Sequence, residues 1–300
     1  MKRFGLLAAS ALIAVAVQTS VTSAADLPDA AVPVVVDEPY GLLFAALGEF
    51  SAGFHWVDST EDVDDDAATI TGSGRFNVPL GSHFSMQFDA DGELRFTDDE
   101  EDPQGVAMIG AHASFRNPSQ GLIGIFGAAG QGLNEDPDDV DMGVMIGGEA
   151  QFYWNQFTLY GQAGWADFEV DDSPEGFVDG WFVRGVGRWF VNPDALVEAE
   201  VSYGETDTYI DGNDAGEFWN WGVKGKMKLN PTKPVYGVLA YRGGSYDATT
   251  EGDDGTEHVL LAGISILLGP QTLQDNDRRG ATLDLPMLPG RAASWTEGLD

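Results

Sequence analysis

The sequence contains no cysteine among its 300 residues, so it has neither a disulfide framework nor a thiolate metal site. Basic residues are also scarce: 15 Lys and Arg stand against 49 Asp and Glu, which gives a formal net charge of −34. This charge excludes nucleic-acid binding, because a phosphate backbone would be repelled. A disordered acidic chain is excluded as well, since 43% of the residues are hydrophobic and 11% are aromatic.

Long apolar runs are absent beyond the N-terminus, so the rest of the chain contains no stretch of helix-spanning length. At the N-terminus, a basic pair precedes an apolar run, and small residues follow at Ser23-Ala24-Ala25. This order predicts a secretory signal peptide over residues 1–25, because the run is too short for an ordinary spanning helix. We therefore expect the mature chain to leave the cytoplasm and to begin with a linker over 26–41.

Polar and apolar residues alternate along many segments, as in HFSMQFDADGELRF at 83–96. A period of two predicts a β-strand, and this segment is long beside the about five or six residues of a typical globular strand. The segments at 121–130 and 258–268 are apolar on both parities, so the sequence does not orient them. Twelve segments follow one another, at about 42–57, 69–80, 83–97, 106–116, 121–130, 142–154, 157–166, 178–191, 195–204, 218–229, 235–246 and 258–268.

Two kinds of connection alternate between these segments. Short breaks rich in Asn, Pro and Gly are typical of turns. Each longer connection holds five or six acidic residues and no Lys or Arg; these connections are 58–68, 98–105, 131–141, 167–177, 205–217 and 247–257. Long strands of even number, with short turns at one end and long loops at the other, predict an all-β fold: a transmembrane antiparallel up-and-down barrel. The loops are then extracellular and the turns periplasmic.

The junction Ala24-Ala25-Asp26-Leu27-Pro28, with its Pro- and Val-rich spacer, resembles the leader junctions of porin-like outer-membrane β-barrel proteins of Gram-negative bacteria. The hairpin pattern across 42–268 looks like the same class. This resemblance implies a barrel over 42–269 in the cell outer membrane. The chain departs from the class in one respect, since such barrels usually end on the last strand, whereas residues 270–300 follow here. We expect this tail to lie in the periplasm or to enter the barrel as a plug.

Interior parity assigns a set of charged residues to the lumen, where they are predicted to line a pore. In a ring of twelve strands the third and ninth lie opposite, so an acidic wall would face a mainly basic one, as in the general porins that the chain resembles. Cross-strand ion pairs, Arg188–Glu198–Lys226 and Arg184–Glu200–Lys224, are an equally physical interpretation. The predicted pore-lining residues are Arg75, Asp89, Asp91, Glu93, Arg95, Arg184, Arg188, Glu198, Glu200, Lys224, Lys226, Lys228 and Arg242.

Catalytic and metal chemistry have weaker support. The pattern His-x-Ser occurs at His83-Phe84-Ser85 and at His112-Ala113-Ser114, and outer-membrane phospholipases use such a pair. Neither copy has the Asn-Gly that follows in those enzymes, and no third orienting residue is recognisable, so no enzyme is predicted. The acidic loops do not fit a calcium-loop template, so no metal site and no cofactor are predicted.

Two functions remain from the sequence. The first is an outer-membrane channel for passive diffusion of ions or small polar solutes, with a cation preference set by the acidic loops. The alternative is a non-conducting barrel that serves as a structural or surface-interaction protein. Expected partners are outer-membrane lipid and lipopolysaccharide, which divalent ions could bridge to the loops, and the permeating solutes. A homo-oligomer is left open.

Overall fold

The computed structural model describes the chain over 43–59, 67–97, 104–133, 142–169, 176–206, 216–248 and 255–286. The predicted signal peptide, the linker, most of the acidic loops and the end of the tail lie outside these ranges. The described residues form twelve strands and one short helix, and no helix among them is long and apolar enough to cross a membrane. The elements are β1 Ala45–Ser59, β2 Ala67–Leu80, β3 Phe84–Thr97, β4 Gln104–Asn117, β5 Gly121–Leu133, β6 Met142–Trp154, β7 Phe157–Glu169, β8 Gly176–Asn192, β9 Ala195–Thr206, β10 Gly216–Lys228, β11 Val235–Ala248, β12 Gly255–Leu268 and α1 Leu273–Arg279.

The twelve strands form one closed barrel in which every strand pairs antiparallel with its neighbours in sequence. Closure comes from β1 and β12, which pair from Ala46↔Leu268 to Ser59↔Gly255. Ring closure satisfies the backbone groups of both terminal strands, which lipid could not do. The predicted fold, a closed up-and-down barrel of twelve antiparallel strands, is confirmed.

Tight turns join the strands at one end of the barrel. Asn155 has a φ of 50° and Gly81 a φ of 94°, in the left-handed region that asparagine tolerates and glycine adopts freely. Three other turns use an asparagine side chain that accepts a hydrogen bond from the backbone N–H two residues on: Asn117 from Ser119 at 3.0 Å, Asn192 from Asp194 at 2.9 Å and Asn230 from Thr232 at 2.9 Å. The asparagine-rich breaks of the sequence therefore fold as short turns.

The exterior of the barrel carries the large apolar side chains of the alternating segments. Phe88, Ile146 and Leu239 keep 48, 61 and 61% of their surface exposed. A continuous apolar surface of this kind is unfavourable in water and favourable against lipid. Aromatic rings pair near both ends, with Phe157 on Trp189 at the turn end and Tyr203 on Trp219 at the other. Two aromatic levels are typical of the two interfaces of a membrane-spanning barrel.

Residues 270–286, here called the C-terminal segment, follow β12 and enter the barrel. Helix α1 begins after Thr272, whose hydroxyl accepts a hydrogen bond from the Asp275 N–H at 3.0 Å. It ends at Arg279, with Gly280 as its C-cap, and the chain then continues without helix or strand to Pro286. Ala281 and Leu283 are fully buried.

The C-terminal segment explains why two segments of the sequence are apolar on both parities. On β5, Leu122 and Phe126 face inward, where Leu122 packs with Leu283 and Phe126 with Leu285. On β12, Leu267 faces inward and belongs to the same buried cluster as Leu273 and Ala281. The inner faces of these strands are apolar because they pack on apolar residues of the segment and not on water.

Candidate functional site

The interior of the barrel has two chemically different sides. The apolar side consists of buried side chains from six strands and the C-terminal segment: Val106, Met108, Phe126, Met145, Ala166, Phe182, Phe218 and Leu285. The charged side surrounds a cavity of about 100 Å³, and its charged lining includes Glu49, Arg75, Asp91, Glu93, Lys224 and Arg242. A cavity of this size has room for several water molecules, since one water needs roughly 10–15 Å³ of such space.

Every residue of the predicted pore-lining set has its side chain in the interior. Most are buried, and the more exposed members, such as Arg75 and Lys224, line the cavity. Lys228 differs in position, because it lies at the turn end, where its ammonium is 3.1 Å from Asp194 Oδ2. The structure thus brings this set together inside the barrel.

The ion pairs between β8, β9 and β10 agree only in part with the sequence interpretation. Arg188 Nε lies 2.6 Å from Glu198, and Arg184 Nε lies 2.9 Å from Glu200. The two lysines pair with other residues than the predicted ones. Lys224 is 3.9 Å from Glu198, and Lys226 contacts Glu49 at 2.5 Å. The strand register is the reason, because it sets Lys224 opposite Glu198 and Lys226 opposite Leu196. The two predicted triads are corrected accordingly.

The acidic and basic walls are not held apart as in an open pore. Arg242 on β11 reaches Glu93 on β3, with a distance of 2.7 Å between Nη2 and Oε2. Arg95 lies 3.3 Å from Glu93 and 3.7 Å from Glu257 on β12. Charge pairs thus link strands that are not neighbours in the barrel. These pairs narrow the open space between the strands on the charged side.

Hydrogen bonds fix the backbone of the C-terminal segment to the inner wall. The Gln87 amide donates to the Leu283 carbonyl at 2.7 Å, and its oxygen accepts from the Leu283 N–H at 3.2 Å. Arg116 donates to the Gly280 carbonyl at 2.8 Å. On β4, Gly110 makes room for Leu285, since a Cβ at that position would lie 2.6 Å from the leucine Cδ2. Burial of the Leu283 and Leu285 side chains stabilises the segment by roughly 1.5–3 kcal/mol each.

Asp284 places one carboxylate of the C-terminal segment among arginines inside the barrel. Its Oδ1 lies 2.7 Å from Arg184, and its Oδ2 lies 3.5 Å from Arg188 and 3.6 Å from Arg75. Burial alone would raise the pKa of Asp284, but the guanidinium groups outweigh it and hold this pKa well below its usual range. Asp284 is therefore a carboxylate inside the barrel and a strong ionic link between the segment and the wall.

Of the two His-x-Ser patterns, Ser85, His112 and Ser114 lie on the inner face, whereas His83 lies in the turn before β3 and stacks on Phe115 of the exposed outer face. His112 lies between Asp89 at 3.1 Å and Glu149 at 2.9 Å, and Ser114 lies 3.0 Å from Ser85. The imidazole thus contacts carboxylates on both sides, and no serine is its hydrogen-bond partner in these contacts. Membrane lipid does not reach this face of the barrel. Among the residues that the structure describes, no group of three or more His, Asp or Glu is arranged to hold a metal ion.

Several interior residues are missing from the predicted set. Glu49, Arg116 and Glu149 point inward on β1, β4 and β6, and their parity relative to neighbouring polar residues could have identified them. Asp277 and Asp284 could not have been found this way, because the tail has no period-two pattern.

Comparisons with known proteins support the fold. No family model and no curated protein matches the sequence. Among solved structures, an outer-membrane channel from Pseudomonas putida F1 aligns with a TM-score of 0.52 at 12% identity, over 76% of this chain and 96% of that one. The chain therefore has the fold of a porin-like outer-membrane β-barrel, with an apolar exterior suited to that membrane.

Two other solved structures align less closely. The translocator domain of the autotransporter NalP from Neisseria meningitidis has a TM-score of 0.47 at 10% identity, over 75% of this chain and 88% of that one. The KdgM porin in complex with disordered oligogalacturonate has a TM-score of 0.41 at 9% identity, over 74% of this chain and 98% of that one.

Proposed function

We propose that this chain is an outer-membrane channel through which ions and small polar solutes diffuse passively along the charged side of the interior. The observation that carries the proposal is the cavity of about 100 Å³, which is lined by acids and bases of several strands. Such a space suits water and ions, because its side chains can form hydrogen bonds and ion pairs with them, whereas the side chains of the apolar side cannot. Twelve strands also lie between the eight of a filled barrel and the 16–18 of an open porin, which favours a narrow path.

The C-terminal segment narrows this path and acts as a plug. Asp284 and Leu285 both border the cavity, so the segment forms part of its wall. Leu285 closes the apolar side, while Asp284 ties the segment to three arginines. The expected conductance of the intact chain is therefore low.

The acidic loops give the channel a preference for cations. Their clustered carboxylates concentrate counter-ions within a Debye length of about 10 Å at 0.1 M salt. Inside the barrel, the pairing of Arg184, Arg188 and Lys226 with carboxylates offsets the basic wall. Neutralising Asp62–Asp66 and Asp98–Asp102 should then reduce the cation preference at low salt and leave it unchanged at high salt.

The partners follow from this placement. Outer-membrane lipid covers the exterior, and lipopolysaccharide meets the loops, where divalent ions bridge the two sets of anions. The interior position of His112 supports a non-enzymatic channel, because a lipid substrate does not reach it. Association into a homo-oligomer is compatible with this function and is not needed for it.

A second function has its own support. Arg242–Glu93, Arg184–Asp284 and Lys226–Glu49 join the walls and the segment, and such pairs could close the lumen completely. The chain would then be a non-conducting structural or surface-interaction barrel.

Potassium release from vesicles separates the two functions. Intact protein is reconstituted into potassium-loaded vesicles, and folding is checked by heat-modifiable migration on a gel. The channel predicts protein-dependent potassium release. Folded protein that releases none would support the closed barrel and contradict the channel.

A further inference from the structure

Three arginines from two strands converge on one carboxylate that does not belong to the wall. Asp284 enters from the C-terminal segment, and its two oxygens lie 2.7–3.6 Å from Arg75, Arg184 and Arg188. Charge-assisted contacts between guanidinium groups and a carboxylate are strong and directional. The arrangement is what a protein uses to bind a carboxylate ligand, with Asp284 in the place of the ligand.

Wall residues hold two of these arginines independently of Asp284. Glu200 accepts from Arg184, and Glu198 accepts from Arg188. The Tyr160 ring lies near both, with centroid distances of 5.7 Å to Arg184 Cζ and 5.3 Å to Arg188 Cζ. These two guanidinium groups therefore keep their positions when Asp284 leaves, and a preorganised site loses less free energy on binding a ligand.

The cluster is also accessible from the cavity. Arg75, Arg184 and Asp284 are all among the residues that line the cavity on the charged side. A solute that enters this space meets two of the three guanidinium groups that hold Asp284, those of Arg75 and Arg184. The Arg75 Nε is buried without a hydrogen-bond partner within the described part of the chain, so a further acceptor has a donor to use.

We propose that Arg75, Arg184 and Arg188 form a binding site for small carboxylate solutes, which the Asp284 carboxylate occupies until a solute displaces it. This inference rests on the proposed channel, because a solute reaches the site only through the interior. Asp284 competes as a tethered group at high effective concentration, so the intact chain binds a free carboxylate more weakly than a chain without it.

The acidic loops do not prevent such binding. At 0.15 M ionic strength the Debye length is about 8 Å, so the field of the loops acts at the mouth and fades within the barrel. The mouth then favours small cations, while the arginine site deeper inside retains a carboxylate.

Calorimetric titration with sodium succinate tests the site. Refolded protein in detergent is titrated with sodium succinate, with sodium chloride at equal ionic strength as the reference. Asp284→Ala should bind succinate about tenfold or more tightly than the intact chain, because the competing carboxylate is gone. Adding Arg75→Gln to that variant should weaken binding by about tenfold, the loss expected for one charge-assisted hydrogen bond. Asp275→Ala removes a carboxylate of the same segment outside the site and should behave as the intact chain does.

Heat-modifiable migration confirms that each variant is folded, and Asp284→Asn replaces Asp284→Ala if the alanine variant does not fold. Absence of succinate binding to the folded Asp284 variant would overturn the site, as would binding that Arg75→Gln leaves unchanged. Potassium release by the intact protein without succinate binding would leave the channel standing and remove the site. Succinate binding without potassium release would support the site and contradict the channel.

Discussion

The two sides of the barrel interior differ as much as a protein core differs from a solvent channel. On the apolar side, Phe126, Phe182 and Leu285 pack together and exclude water. On the charged side, Arg75, Glu93 and neighbouring charges surround a cavity. Both sides belong to the same ring of strands, so barrel closure alone does not determine whether a path exists. The side chains and the C-terminal segment divide the interior into a closely packed apolar side and a charged side that contains the cavity.

Among the changes considered, removal of the C-terminal segment should alter the difference between the two sides most. Deleting residues 270–300 exposes the inner faces of both sides and widens the lumen, so the single-channel conductance should rise severalfold. The barrel should still form, because the pairing of β1 with β12 does not involve the segment. Conductance in planar bilayers and heat-modifiable migration check both results. A deletion variant that gives no folded band would show that the segment is part of the folding core.

Substitution of a single leucine tests the packing of the apolar side. Leu285→Ala should lower the free energy of unfolding by roughly 2–5 kcal/mol, the usual cost of a cavity at a buried leucine. Leu239→Ala is the matched control on the lipid-facing exterior, where 61% of the side chain is exposed, and its cost should be smaller. Denaturant unfolding in detergent measures both. Equal losses would indicate that the apolar side is no better packed than the exterior.

The ion pair between Arg242 and Glu93 tests whether ions pass along the charged side. Arg242→Ala removes the 2.7 Å contact with Glu93. Conductance should rise by about a factor of two, and cation preference should increase, because the loss of one positive charge leaves the Glu93 carboxylate with fewer basic neighbours to neutralise it. Arg279→Ala, which removes the ion pair between Arg279 and Asp275 within α1, is the control. A fall in cation preference in Arg242→Ala would contradict the assignment of the path to this side.

The sequence predicts the exterior of the barrel better than its interior. Strict alternation along 83–96 sets Phe88 on the face opposite the charged residues that were assigned to the lumen, and that face must be apolar along the whole height of a strand in contact with lipid. The partner of Lys226 was not predictable, since parity sets the face of a side chain but not the register of its neighbour. Leu283 was beyond prediction for a different reason: its segment lacks a period, and the sequence did not orient 121–130 and 258–268, whose inner faces pack on that segment.

The smallest expected effect concerns pH. The pKa of Asp284 is lower in the folded chain than its unfolded value of about 3.9, so its stabilising contribution is complete above that value and is lost as pH falls through the folded pKa. The difference in unfolding midpoint between the intact chain and Asp284→Asn should therefore stay constant from pH 7 to pH 5 and shrink only below about pH 4. A difference that already shrinks between pH 7 and pH 5 would show that the arginines do not hold this carboxylate ionised.

Single-channel recording of the intact protein across a potassium chloride gradient tests the central claim most directly. If ions pass along the charged side, the current should show small discrete steps. The reversal potential should indicate cation preference at low salt, and this preference should weaken as ionic strength rises and screens the acidic loops. Silence from folded protein would contradict the channel, and anion-selective steps at low salt would show that the interior arginines, not the loops, set its selectivity.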